Sequence, residues 1–417
     1  LWNDRLAHAL ARRWELLGSA DSDALRVLHG ENDRMPGLVV DLYRTVAVVK
    51  LYSDAWLAHL DEFLDVLQAA IWSISGVVLR LSRRVANSPL ASERGLADGQ
   101  VIRGTVRDGR TTFSEHGLRF TADVRHGQKT GWFLDQRDNR ALVGSMARGA
   151  RMLDVFCCGG GFGVHAAAGG ARHVHSVDLS PHAVEEAAAH MALNRDVREV
   201  GRATHTGTVG DAFEVMDDLR RSGERFDLVV VDPPSFASRQ SDVTGALRAY
   251  GGLTALAVDL IQPGGTLVQA SCSSRVSTSD FTGIVTRAAQ RAGAELVVLA
   301  QTGQPIDHPI GFPEGAYLKA IVARVAAEIG AEGVEHDADI AKISLVGAGM
   351  KTSPGIAAKM FRTLADEGVN IQMISTSTIR ISVVTAASDL ERAARALHTA
   401  FGLDSGQAYS APLPERK

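Results

Sequence analysis

Residues 151–179, RMLDVFCCGGGFGVHAAAGGARHVHSVDL, decide the fold. Met152 to Phe156 is a short apolar run of the kind that fills a buried parallel strand. Gly159, Gly160, Gly161 and Gly163 form a glycine-rich turn, and the alanine-rich stretch behind it predicts a helix. His173 to Val177 reads as a second buried strand and ends on Asp178. Strand, glycine turn, helix, strand and terminal acid is the order of the nucleotide-binding half of a doubly wound α/β sheet. Glycine has no Cβ, so the backbone can approach a ligand closely. An acid at the end of the second strand can accept both hydroxyls of a ribose. The glycine spacing departs from the regular G-x-G-x-x-G, and alone it leaves a nucleotide site and a plain tight turn both open.

The downstream strands bear on that choice. VGDAF (209–213) follows a third strand and sets Asp211 at its carboxyl end; FDLVVVDPPSF (226–236) is a fourth strand ending in Asp232-Pro233-Pro234. Taken singly, an acid after a strand reads as a helix cap. Taken together, acids at successive strand ends converge on the edge where open α/β sheets bind ligands. The set resembles the class I S-adenosylmethionine-dependent methyltransferases. The resemblance implies that Asp154, Phe156 and Gly159, Gly160 and Gly161 wrap the methionine moiety of S-adenosylmethionine. It also implies that Asp178 holds the ribose, that Asp211 meets the adenine amine, and that Asp232 and Pro233 border the cofactor.

Composition sets the limits. A chain of 417 residues with 45% apolar content can form two or three domains with sizeable cores. A net charge of −4 gives no global basic field, so any nucleic-acid contact must be local. Three cysteines, two of them adjacent at Cys157 and Cys158, exclude a disulfide framework and point to a reducing, cytoplasmic compartment. No Cys/His spacing suits a metal. No apolar run reaches membrane-spanning length and no signal peptide is visible. The first residue is Leu1, which suggests that an upstream module is missing.

Residues 1–125 read as a small α/β domain with a hairpin. An amphipathic helix covers 3–17, GLVVDLY and TVAVVKLY are strands around a turn at Arg44, and 54–72 is a helix with Trp56, Leu60, Phe63, Leu64, Leu67 and Ile71 on one face. GVVLRL (76–81) is a further strand. It leads into Arg80, Arg83 and Arg84, either a solvated face or a path for phosphates. Residues 101–125 read as a hairpin of VIRGTVRDG and TTFSEHGLRFTADV.

The main domain spans 126–326. It opens with HGQKTGWFLDQRDNR (126–140), polar, aromatic and basic at once, which reads as the lining of a pocket over the glycine turn. Seven strands follow, the last two close together, so a parallel sheet closed by an antiparallel hairpin is expected. GGTLVQASCSS (264–274) ends the fifth strand and points Cys272 at the ligand edge beside Asp232. A free cysteine is ordinarily a small buried apolar group. Beside a methyl donor it has a second use: carbon 5 of a pyrimidine becomes nucleophilic once a thiolate has added to carbon 6. Amino-group methylation needs no such thiol, and DPPSF is intermediate between the two demands. Ser235 and Phe236 can contour a flipped base.

GENDRMPGLVVDLY, HGQKTGWFLDQRDNR, FCCGGGF, VDLS, DPPSF, ASCSS and DHPIGFPEGAYLKAIVARV, in that order, resemble the large-subunit ribosomal RNA cytosine-carbon-5 methyltransferases over residues 1–326. The resemblance implies that Cys272 is the nucleophile and that Asp232 contacts the base or handles a proton. It implies that Lys129, Phe133, Gln136 and Arg137 lie near the cofactor and target base, and that RNA is the partner. That family carries an N-terminal PUA domain, which this sequence lacks. The sister family methylating guanine has asparagine where Cys272 stands, so nitrogen-directed methylation is the alternative reading.

Beyond residue 325 the character changes. Residues 327–339 are a polar linker, and 340–417 read as a ferredoxin-like β-α-β-β-α unit. KISLVGAGMKTSPGIAAKMFRTLADEGVNIQMISTSTIRIS is similar to the C-terminal ACT domain of aspartate kinases. Ser353 and Thr378 replace the His and Glu expected there, and Pro354 and Gly368 punctuate the first helix. The resemblance implies a homodimer through this unit and an amino-acid effector such as threonine or lysine. It also raises a third reading of the whole chain, an amino-acid-responsive interaction protein.

Overall fold

The computed structural model describes residues 2–237, 239–326, 339–346, 355–376 and 380–403. They divide into two units, Leu1–Glu328 and Ile329–Lys417. The linker and Ser353, Pro354 and Thr378 lie outside the described residues.

In the first unit a helix, Trp2–Arg12, buries Leu6 and Ala9. A five-stranded sheet follows, made of β1 (Ala24–His29), β2 (Leu38–Tyr43), β3 (Val46–Leu51), β4 (Gly76–Leu81) and β5 (Gln100–Gly104), in that spatial order. Only β3 and β4 pair in parallel, because helix Leu60–Ala70 carries the chain across between them. Three details differ from the sequence reading. Strand β1 was not expected. The segment 101–125 is not one hairpin: β5 joins the edge of the first sheet against β4, and the hairpin consists of β6 (Arg110–Glu115) and β7 (Leu118–Asp123). The turn lies at His116 and Gly117, with φ of 51° and 76°, the two positive values a tight hairpin needs. Arg80 also leaves the expected basic stretch. It is buried, donating to Asp98 at 3.1 Å and to the Gly127 carbonyl at 3.0 Å.

The second sheet has seven strands: β8 (Arg151–Val155), β9 (His173–Asp178), β10 (Thr204–Val209), β11 (Phe226–Val231), β12 (Ile261–Ser271), β13 (Leu296–Thr302) and β14 (Lys319–Val325). Their order is β10-β9-β8-β11-β12-β14-β13. The first five are parallel. β14 inserts antiparallel between β12 and β13 and closes the sheet as expected. The order reverses between β8 and β11, so the carboxyl ends of those strands and of β9 and β12 open onto one crevice. The two sheets share a core in which Tyr43, Val48 and Val78 pack with Phe113, Phe120, Trp132 and Met152.

The second unit runs β15 (Ile340–Val346), helix Ile356–Asp366, β16 (Met373–Thr376), β17 (Arg380–Ala386) and helix Leu390–Ala400. Its sheet order is β15-β17-β16, and Met360, Leu364, Val383, Leu397 and Phe401 form its own core. Gly368, with φ of 68°, ends the first helix as the sequence suggests.

Candidate active site

The turn after β8 is built from backbone that ordinary residues avoid. Phe156, Cys158 and Gly160 have φ of 62°, 48° and 70°. This conformation swings the chain into helix Gly161–Ala168. Asp154, fully buried, accepts from the Gly163 N–H at 3.1 Å through one oxygen; its other oxygen is buried without a partner. Burial lifts its carboxyl to about 7, and the charges of Asp232 and Asp178 add to the lift. Asp178 steadies the turn by accepting from the Cys158 N–H at 3.0 Å, and it accepts from the Ser180 N–H at 3.0 Å.

Across the crevice, Gln136 donates to Asp232 at 2.8 Å and accepts from Asn139 at 2.6 Å, which fixes its orientation. Burial, with the charge of Asp135, raises the Asp232 carboxyl to about 7; Lys129 and the Gln136 hydrogen bond pull the other way. The Cys272 sulfur lies 4.0 Å from the carbonyl oxygen of Pro233. Burial and the charge of Asp232 push its thiol up to about 11, with Lys129 acting in the opposite sense. The Lys129 ammonium sits 4.3 Å from the Phe133 ring centre and donates to Asp135 at 2.6 Å.

The structure thus brings together Asp154, Phe156, Gly159, Gly160, Gly161, Asp178, Asp232, Pro233, Cys272, Lys129, Phe133 and Gln136. Four other expected residues are held by contacts of their own. Asp211 is exposed and caps helix Ala212–Arg221, accepting from the Phe213 N–H at 2.9 Å. Arg137 is buried against Asp307, with both contacts at 3.0 Å, so its guanidinium is turned into the protein rather than into a pocket. Ser235 donates to the Ala237 carbonyl at 3.3 Å. Phe236 packs against Tyr250, ring centres 5.2 Å apart.

A family model described as S-adenosylmethionine-dependent methyltransferase matches residues 102–324, and one described as ACT domain matches residues 343–401. The ribosomal RNA large subunit methyltransferase of Deinococcus radiodurans is 45% identical over 324 residues, covering 77% of this chain and 78% of the relative. The ribosomal RNA large subunit methyltransferase I of Tolumonas auensis is 36% identical over 327 residues, covering 77% and 79%. The chain belongs to the S-adenosylmethionine-dependent ribosomal RNA large subunit methyltransferases. A methyltransferase solved with S-adenosylhomocysteine superposes with a TM-score of 0.67 at 21% identity over 78% of this chain and 81% of that one, a likeness of fold. A second structure, of an S-adenosylmethionine-dependent methyltransferase from Streptococcus mutans, gives 0.66 at 21% identity, with the same coverage of 78% and 81%.

The crevice fits the cofactor of this methyltransferase. An unpartnered buried carboxylate oxygen on Asp154, a turn of positive-φ residues and an acid on β9 converge where an amino acid joined to a ribose needs acceptors. Three site residues carry no signal in the sequence. Asp135 is buried and accepts from Tyr317 at 2.7 Å as well as from Lys129. Burial would raise its carboxyl, but Lys129, His308 and these hydrogen bonds hold it below the usual range. Lys319 lies buried behind Cys272. Tyr317 stands 182 residues from Asp135 and Lys319 stands 46 from Ser273, and the insertion of β14 beside β12 brings Lys319 there.

Proposed function

We propose that the chain methylates carbon 5 of a cytosine in large-subunit ribosomal RNA through a covalent adduct on Cys272. The observation carrying this reading is the thiol at the end of β12, 4.0 Å from the Pro233 carbonyl in the turn that begins with Asp232. An exocyclic or ring nitrogen needs no thiol in that place. The cytosine leaves its stack to reach the crevice. Cys272 Sγ bonds carbon 6 as its proton passes to a base. The 5,6 electron pair moves to carbon 5, which takes a methyl group. A base then removes the carbon 5 proton, the carbon–sulfur bond breaks, and the ring regains its aromaticity. S-Adenosylmethionine, held by Asp154, Asp178 and the turn at Phe156 to Gly161, supplies the methyl group in electrophilic form. Asp232 is the proton-handling residue: a carboxyl with its midpoint near neutrality takes and gives a proton over the same pH range.

The test uses an rRNA fragment carrying 5-fluorocytosine. Fluorine at carbon 5 blocks the final elimination, so a denaturation-resistant protein–RNA adduct is expected, and Cys272→Ala removes it while S-adenosylmethionine still binds. Methyl transfer to ordinary RNA without any adduct would move the reaction to a nitrogen.

We infer further that the ACT unit pairs with a second copy of the chain. β15 and β16 are the outer strands of its sheet, and Val346 (66%), Met373 (64%) and Ile374 (51%) are exposed on them. Sedimentation is expected to show a concentration-dependent dimer; a monomer at all concentrations overturns it. Threonine or lysine as an effector rests on the ACT match, and no heat on calorimetric titration at millimolar ligand removes it. We infer that the enzyme works in the cytoplasm, a reading supported by the proposed ribosomal RNA substrate.

A further inference from the structure

Cys272 is gripped from the side away from the glycine turn's strand. Lys319 opens β14 and pairs with Ser271 across the ladder to β12. Its side chain is 4% exposed. The ammonium donates to the carbonyl of Ser273 at 2.5 Å and to the carbonyl of Val276 at 2.5 Å. Cys272 is therefore the single residue between a strand pair and a clamped turn. The Ser273 hydroxyl adds a tie to the segment after Asp232, donating to the Ala237 carbonyl at 2.9 Å.

Clamping alone does not account for a lysine. Burying an ammonium against neutral carbonyls is costly, and an apolar residue would fill the place. Burial depresses the ammonium's pKa, and the charge that opposes this is that of Cys272. Coulomb coupling is mutual, so the sulfur feels Lys319 in return, more weakly than it feels Lys129. The other charged or titratable groups facing the sulfur are Asp232 after β11, Asp135 and Lys129 from the 126–140 segment, and Tyr250 from helix Val243–Leu260. The two carboxylates disfavour a thiolate. Lys129 favours one, but it is held by Asp135 at 2.6 Å. Among the described residues Lys319 is the cation beside Cys272 that is paired only with carbonyls.

We propose that Lys319 is the positioning residue of the nucleophile, pinning the Ser273–Val276 turn so that Cys272 faces Pro233 and providing the fixed counter-charge as negative charge develops on the sulfur. This rests on the reading of Cys272 as nucleophile. The test is alkylation of the full chain by iodoacetamide from about pH 6 to about pH 10, followed by peptide mass spectrometry that reads Cys272 apart from Cys157 and Cys158. Lys319→Gln and Lys319→Met are expected to slow alkylation of Cys272 about threefold or more near neutral pH and to move its profile upward, while Lys319→Arg stays within about twofold of the parent. Alkylation of Cys157 does not shift. In methyl transfer, kcat falls and KM for S-adenosylmethionine holds. Glutamine and methionine variants that bind S-adenosylmethionine and alkylate on the parental profile overturn the proposal. So does a glutamine variant that fails to fold, since that assigns Lys319 to structure alone. Failure of the nucleophile reading is seen separately, as a parent that forms no adduct with 5-fluorocytosine RNA.

Discussion

At the scale of single residues, Asp154 and Asp232 are displaced to about 7 chiefly by burial, and the displacement has different consequences for each. Asp154 is wholly buried. Its folded pKa lies above the unfolded value of about 3.9, so the stability it contributes is complete below that value and is lost as pH rises through about 7. Asp154→Asn keeps an acceptor for the Gly163 N–H without the charge. Urea unfolding is expected to find the variant more stable than the parent by ~3 kcal/mol at alkaline pH and equal to it in acid. An equal difference at both would mean that Asp154 ionises freely in the fold. For Asp232 the same displacement falls within the working range of the enzyme. If it accepts the proton in its ionised form, methylation rises with pH through about 7 and then levels. Asp232→Asn is expected to abolish that limb and to lower kcat by about 100-fold or more.

At the scale of elements, the glycine turn and the segment before β14 each couple a short local conformation to the crevice. Gly160 has φ of 70°, and a Cβ there would lie 2.6 Å from the Cβ of Ala187. Gly160→Ala is expected to destabilise by about 2 kcal/mol and to weaken S-adenosylmethionine binding in calorimetric titration, because the strain is relieved by moving the turn. Asp307 accepts from both Arg137 nitrogens and from the Arg26 N–H at 2.9 Å, so one buried carboxylate ties β1, helix Arg137–Met146 and the β13–β14 connection. Asp307→Ala leaves the buried Arg137 guanidinium with only the half-exposed Asp138 carboxylate, and a loss of about 3 kcal/mol is expected in the unfolding free energy from denaturant titration. These elements also show what a sequence discloses. The central strands of the seven-stranded sheet, β8, β11 and β14, were legible as buried apolar runs, whereas the edge strands β10 and β13 are largely exposed and were legible by their spacing. β1 was missed because LRVLH mixes Arg26 and His29 into a short strand, and only Asp41, which Arg26 meets at 2.7 Å, makes that arginine fit. Cys272 and Asp232 could be picked out by their places at strand ends. The ion pair of Arg137 could not be read, since its partner Asp307 is 170 residues away. Asp211 took the local role that any acid after a strand can take.

At the scale of the whole molecule, the two units close their cores separately. The first has three apolar clusters spread over its two sheets, and the second has one, centred on Met360, Leu364, Val383 and Phe401. The residues proposed to bind S-adenosylmethionine and to form the adduct all belong to the first unit. Stability in a chain of this kind is set by each core's own burial. Differential scanning calorimetry is therefore expected to show two transitions, with the smaller unit contributing the smaller enthalpy. Removing residues 329–417 should erase that smaller transition and leave the larger within about 2 °C, a shift corresponding to well under 1 kcal/mol. Adduct formation with 5-fluorocytosine RNA should persist in the shortened chain. If truncation instead lowers the larger transition or abolishes the adduct, the ACT unit contributes to folding or catalysis of the first.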